Sequence, residues 1–203
     1  VKMKDFYVIC DNIRSLDNVG SIFRTSDALG ITKIFLCGIS GSSPTNFESR
    51  SGHKVINPKL YSKLVEDKPP IGEDQSTFLQ RKSARLATKI ENFSALVAKT
   101  ALGAERIVPF EYHKQTWRLI DKLKKDKIFI TALEQDKKAI SYLKFKPKFH
   151  LALIIGNELK GIPKKVLTKA DKIIYLPMQG KKESLNVAVA FGVAAYEINK
   201  KRV

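Results

Sequence analysis

Residues 150–156, HLALIIG, form an apolar run with no charged or polar side chain between His150 and Gly156. A strand with one wet face alternates apolar and polar residues, so a continuous run of this length fits a strand covered on both faces. The rest of the chain supplies partners for it. FYVIC (6–10), KIFLCG (33–38), IFITALE (128–134) and KIIYLP (172–177) read as strands, and RIVPF (106–110) as a short one. Helical patterns lie between them at 18–30, 115–126, 163–170 and 184–199. In the first, Val19, Ile22, Phe23 and Leu29 share a side and Gly30 stops the helix. Trp117, Leu119, Ile120 and Leu123 are the apolar members of the second, and Pro163 opens the third. Such alternation predicts an α/β fold, a mostly parallel sheet with helices on both faces. In such sheets ligands bind beyond the C-terminal ends of the strands.

A chain of 203 residues, 43% of them hydrophobic, suffices for one substantial core, so a single domain over 1–203 is expected. The stretch at about 46–93 breaks the pattern. It is rich in Ser, Gly, Pro and charge and is read as an insertion, with a candidate helix over 77–93. Cys10 and Cys37 sit inside apolar runs and read as buried free thiols. The first residues lack a signal-peptide pattern, and no apolar run reaches the ~18 residues that span a bilayer, so no membrane partner and a cytoplasmic location are expected. The net charge of +17 is uneven: residues 113–182 hold 18 Lys or Arg against 6 Asp or Glu, a net of +12. A field of one sign attracts polyanions, of which phosphate backbones are the commonest.

Several chemistries lack their motifs. There is no G-x-G-x-x-G after the first strand, no phosphate-binding G-x-x-x-x-G-K-[ST], no H-E-x-x-H, and no Cys/His cluster at metal-ligand spacing. No metal is expected. His53, His113 and His150 read as structural or surface residues.

Three stretches instead place polar residues and glycines just beyond strands. DNIRSLDNVGSIFRTSDALG (11–30) carries Asn12, Arg14, Asn18 and Arg24, with Asn18 suited to a helix N-cap. LALIIGNELKGIP (151–163) carries Gly156, where a backbone can approach closely, and Glu158, a ligand contact or a cap. MQGKKESLNVAVAFGVAAYEI (178–198) carries Ser184 and Asn186 at the mouth of the most apolar helix. Ser184 can cap that helix, whose first N–H groups would otherwise lack partners.

NVGSIFRTSDALG, LIIGNELKGIP and LPMQGKKESLNVAVAFGVAAYE together resemble the three motifs of the SpoU-type (TrmH-like) RNA ribose 2′-O-methyltransferases, the SPOUT class. AKTALGAERIVPFEY (98–112) is similar to that family's middle segment. The resemblance covers roughly residues 5–45 and 94–199. It implies a C-terminal deep trefoil knot that cradles S-adenosyl-L-methionine, a homodimer, and tRNA or rRNA as the partner. It places Leu133, Gly156, Leu176 and Met178 along the cofactor, with Ser184, Leu185 and Asn186 closing the pocket. It assigns Asn18, Arg24, Glu158, Ser184 and Asn186 to the catalytic site, with Arg24 acting on the ribose hydroxyl. The last helix, with Leu185, Val187, Val189, Phe191, Val193 and Tyr196 nearly all round it, is then covered by the knot and a partner subunit. Many relatives carry a separate N-terminal RNA-binding domain; here a strand begins at residue 6, so substrate selection is expected of the catalytic domain, the dimer or the insertion. The alternatives are a base-methylating relative on the same fold and a non-catalytic RNA-binding protein that retains it.

Overall fold

The structure is a computed structural model that describes residues 3–38, 74, 76–77 and 97–202. The expected insertion at 46–93 and its helix lie outside the described residues, apart from 74, 76 and 77. The described elements are strands β1 (Phe6–Asp11), β2 (Lys33–Cys37), β3 (Phe110–His113), β4 (Phe129–Leu133), β5 (Ile140–Ser141), β6 (Leu151–Ile155) and β7 (Lys172–Tyr175). The helices are α1 (Leu16–Ala28), α2 (Ala104–Ile107), α3 (Thr116–Lys125), α4 (Lys164–Leu167) and α5 (Val187–Asn199).

The strands form one 7-stranded sheet in the order β3-β2-β1-β6-β4-β7-β5. Every pairing within it is parallel. The apolar run read from the sequence is β6, the fully buried strand between β1 and β4. Its side chains alternate between two cores. Leu151, Leu153 and Ile155 meet α1 and α5 on one face, through Val19, Ile22, Phe23, Phe191 and Ala194. Ala152 and Ile154 meet α3 and α4 on the other, through Leu119, Ile120, Leu123 and Val166. Helices on both faces of a parallel sheet are therefore present, as the patterning predicts. Cys10 and Cys37 are buried, and neither forms a disulfide.

Several local readings are corrected. Ser15, not Asn18, is the N-cap of α1, its hydroxyl accepting from the Asn18 N–H. The third strand is Phe110–His113 rather than 106–110, because Gly103 turns the chain with φ 94 into the short helix α2. Pro109 lacks an N–H for the ladder; its carbonyl accepts from Ile34 and the strand starts after it. Asn186, not Ser184, caps α5, its side-chain oxygen accepting from Ala188 and Val189. β5 and the 3₁₀ turn Tyr142–Lys144 were not legible beforehand, being only two and three residues long. No described helix is long and apolar enough to cross a membrane.

Candidate active site

A cavity of ≈ 270 Å³ opens beyond the C-terminal ends of β4, β6 and β7. Leu133, Ile155, Leu176, Met178 and Val187 supply apolar wall. Gly156, Ser184 and Leu185 also line it. Thus six of the residues expected along a cofactor, Leu133, Gly156, Leu176, Met178, Ser184 and Leu185, meet around one space. Asn186 and Arg24 do not line it. Asn186 faces a neighbouring groove between α1 and α5, and Arg24 is exposed on α1, one turn beyond Ser21 of that groove.

The loop 156–162 that follows β6 is held very tightly. A Cβ at Gly156 would lie 2.6 Å from Ile162 Cγ1 and 2.7 Å from the Gly161 carbonyl carbon and the Ile162 nitrogen. Gly156 thus permits a close approach of its own loop, while its backbone also lines the cavity. Gly161 has φ +63 and sits under the Glu134 carboxylate. Glu134 accepts from the Ile162 N–H at 2.7 Å and from the Gln135 N–H at 2.9 Å. Asn157 pins the same loop, donating to the Asn12 carbonyl and accepting from Leu159 and Lys160. Because the obstructing atoms at Gly156 include backbone, Gly156→Ala is expected to destabilise the fold by about 1–3 kcal/mol, the ordinary cost of overpacking. A urea titration reads this as a lower midpoint at unchanged slope.

From this loop Glu158 reaches to the start of α1. Its carboxylate accepts from the Arg14 N–H and the Ser15 N–H, both at 3.1 Å, and from the Asn18 amide at 3.0 Å. The Asn186 amide in turn donates to the Asn18 side-chain oxygen at 3.0 Å. Residues from three separate stretches therefore form one chain, Glu158–Asn18–Asn186. Burial works to raise the Glu158 pKa, but the hydrogen bonds from Ser15, Asn18 and Arg14 outweigh it and hold the carboxyl below its ordinary value. Glu158 is consequently an anion at neutral pH, and its negative charge orients the chain.

The cavity's charge runs against that of the protein. Among the described residues its lining holds Glu134, Glu158 and Glu183 and no Lys, Arg or His, in a chain of net charge +17. Such a wall suits a cationic ligand. Sequence reasoning missed Glu134 and Gln135, whose amide donates to the Leu176 carbonyl. A signal was present: a charged residue ends the apolar run IFITALE where a parallel sheet carries its ligands. Among the described residues no group of His, Cys, Asp and Glu could hold a metal ion.

Residues 82–196 match the model of the SpoU rRNA Methylase family. The chain belongs to that family. It is 27% identical over 197 residues to a Bacillus subtilis protein assigned to the TrmH family of tRNA/rRNA methyltransferases, covering 97% of this chain and 59% of the relative. It is 26% identical over 209 residues to the tRNA (guanosine(18)-2′-O)-methyltransferase of Aquifex aeolicus, covering 99% of this chain and 72% of that one. This SpoU-family chain thus spans about three fifths of the Bacillus relative's length. Two solved structures share its fold. The Aquifex aeolicus TrmH/SpoU tRNA modifying enzyme superposes with TM-score 0.66 at 22% identity, covering 99% of this chain and 77% of that one. The methyltransferase AviRb of Streptomyces viridochromogenes, solved in complex with AdoMet, gives TM-score 0.67 at 18% identity, covering 100% and 59%.

Proposed function

We propose that this chain is an S-adenosyl-L-methionine-dependent RNA methyltransferase that modifies a ribose 2′-hydroxyl of tRNA or rRNA. The observation that carries the reading is the Glu158–Asn18–Asn186 chain beside a cavity walled by carboxylates and apolar side chains. S-adenosyl-L-methionine bears a sulfonium and an ammonium against one carboxylate, so its net positive charge fits an acidic wall, and its adenine fits an apolar one. When bound, it supplies an electrophilic methyl group. Leu133, Gly156, Leu176, Met178, Ser184, Leu185 and Asn186 are the residues assigned to holding it. The AdoMet complex of AviRb, a protein of the same fold, supports this choice of cofactor, and the Aquifex relative, named as a 2′-O-methyltransferase, supports the ribose target.

The chain's own residues then divide the work. Glu158 fixes the β1–α1 loop and the Asn18 amide, and Asn18 fixes Asn186. Ser184, exposed at the cavity mouth, is free to hydrogen-bond the ribose. Arg24 is exposed, with no ion pair among the described residues. Its role is to place a cation against the alkoxide that forms as the hydroxyl loses its proton. The test is transfer of labelled methyl from S-adenosyl-L-methionine to total tRNA and to rRNA, followed by nucleoside analysis. A 2′-O-methyl nucleoside from wild type, and roughly a hundredfold less from Arg24→Ala at unchanged cofactor affinity, is expected, as for removal of one charge-stabilising donor. Label on a base would move the target off the ribose. Absence of both label and cofactor binding would overturn the reading.

The same proposal includes a homodimer and, through the family resemblance, the C-terminal knot; the single domain over 1–203 and a cytoplasmic location belong to it as well. Val189, Val193 and Tyr196 of α5 are 53%, 41% and 53% exposed. With Thr25 and Ser21 of α1 they border the groove that also contains Asn18 and Asn186. Covering this apolar face with a second copy removes it from water and encloses the Asn18–Asn186 end of the site. Val193→Asp is expected to give monomers by light scattering, with methyl transfer lost alongside.

A further inference from the structure

The chain's one tryptophan, Trp117, lies on the first turn of α3, half-buried. Two cations use its ring: Lys165 Nζ stands 3.9 Å from the ring centroid, and the Arg118 guanidinium carbon 5.0 Å from it. Both side chains are exposed, and neither has a carboxylate partner among the described residues. The contrast with their neighbours is informative. Between α3 and the segment that follows α4, Lys169 is paired with Asp121 at 2.5 Å and Lys124 with Asp171 at 2.6 Å, so those charges are cancelled. An indole orders a cation without cancelling it. Two like charges are thus each held against one ring while their field stays uncancelled and open to solvent. Lys164 adds a third exposed cation on α4, and Lys160 a fourth on the loop that enters α4 from the cavity mouth.

We propose that Arg118 and Lys165, ordered by Trp117, form a phosphate-binding site for the RNA backbone away from the methyl-transfer cavity. Lys164 and Lys160 continue the positive track from that site to the cavity mouth. The inference rests on the RNA-modifying reading above. Preordered cations lose less side-chain freedom on meeting a phosphate than free lysines do. Arginine and lysine contacts of this kind position a backbone without reading its sequence.

The test uses Trp117 as its own reporter, with bulk tRNA as the probe. RNA titrated into wild type should change the tryptophan emission as phosphate settles on the two cations that the ring holds. The double variant Arg118→Gln/Lys165→Gln should bind tRNA roughly tenfold more weakly or worse, and the slope of log affinity against log salt should become shallower by about 1.5–2, as for two lost phosphate contacts. Its melting temperature and cofactor affinity should match wild type. Lys122→Gln/Lys125→Gln, on the same helix but off the ring, should leave the salt slope nearly unchanged. Equal effects of the two double variants, or tryptophan emission indifferent to bound RNA, would overturn the proposal. If wild type binds and methylates RNA and the Arg118/Lys165 variant does so equally well, only this site is refuted. If wild type neither binds nor methylates any RNA, the methyltransferase reading falls with it.

Discussion

Replacing Glu158 by Gln should lower methyl transfer about a thousandfold while leaving most of the fold's stability in place. The carboxylate accepts from three donors, the N–H groups of Arg14 and Ser15 and the Asn18 amide. A glutamine of the same shape offers one acceptor oxygen and turns an NH₂ group toward donors. The charge that strengthens these bonds is also lost; bonds to charged groups contribute about 1.5–3 kcal/mol each. Once Asn18 is released, Asn186 loses its own partner. The change therefore disorders the β1–α1 loop and both asparagines together, which is why the expected loss exceeds that for the exposed Arg24. Steady-state rates with tRNA or rRNA, beside a thermal melt, separate the outcomes. A rate within tenfold of wild type would show that the chain Glu158–Asn18–Asn186 is not what organises the reaction.

The largest stability effect is expected at Arg202. This residue is 5% exposed and donates to the Lys4 carbonyl at 2.6 Å, the Gly30 carbonyl at 2.8 Å, the Leu29 carbonyl at 3.3 Å and the Thr32 hydroxyl at 3.2 Å. Leu29 and Gly30 end α1, which has no basic residue in its last turn. Arg202 thus brings a cation and several donors to carbonyls at the negative end of that helix dipole. It does so from just past the end of α5, so one side chain ties the C-terminal helix to α1 and to the residues before β1. Arg202→Met keeps the apolar stem and removes every donor, leaving these carbonyls short of partners. A loss of about 3–4 kcal/mol is expected from the charged hydrogen bonds removed. At roughly 2–4 °C per kcal/mol for a domain of this size, the melting temperature should fall by about 6–15 °C. Arg202→Lys, with a single ammonium in place of a planar fork, should recover only part of that loss. A shift under about 2 °C for Arg202→Met would mean that solvent replaces these donors freely.

What the amino-acid order alone determined was local. The run LALII becomes β6, buried along its whole length, and Val19, Ile22, Phe23 and Leu29 are buried where α1 and its C-cap meet the core. Both follow from periodicity, which depends only on neighbours along the chain. Elements too short to show a period escaped, as β5 did, and helix boundaries moved where Ser15 and Asn186 were the better caps. The apolar character of α5 showed that it needed covering, but not from which side. Only the packed structure buries Phe191, Ala194, Ala195 and Ile198 and leaves Val189, Val193 and Tyr196 outward.

The same division holds at the site. Asn18, Glu158 and Asn186 stood out as polar residues beyond strands, yet Asn18 lies 140 positions from Glu158 and 168 from Asn186. Their hydrogen bonds exist because β1 and β6 pair in register, Phe6 against Leu151, and so bring α1 and the loop after β6 to one end of the sheet. The contacts of Arg202 under the end of α1 left no local pattern to read for the same reason. A hydrogen bond between distant residues is set by where the chain closes in space. That closure is decided by the register of a parallel sheet and the packing of its two faces, not by the spacing of residues along the chain.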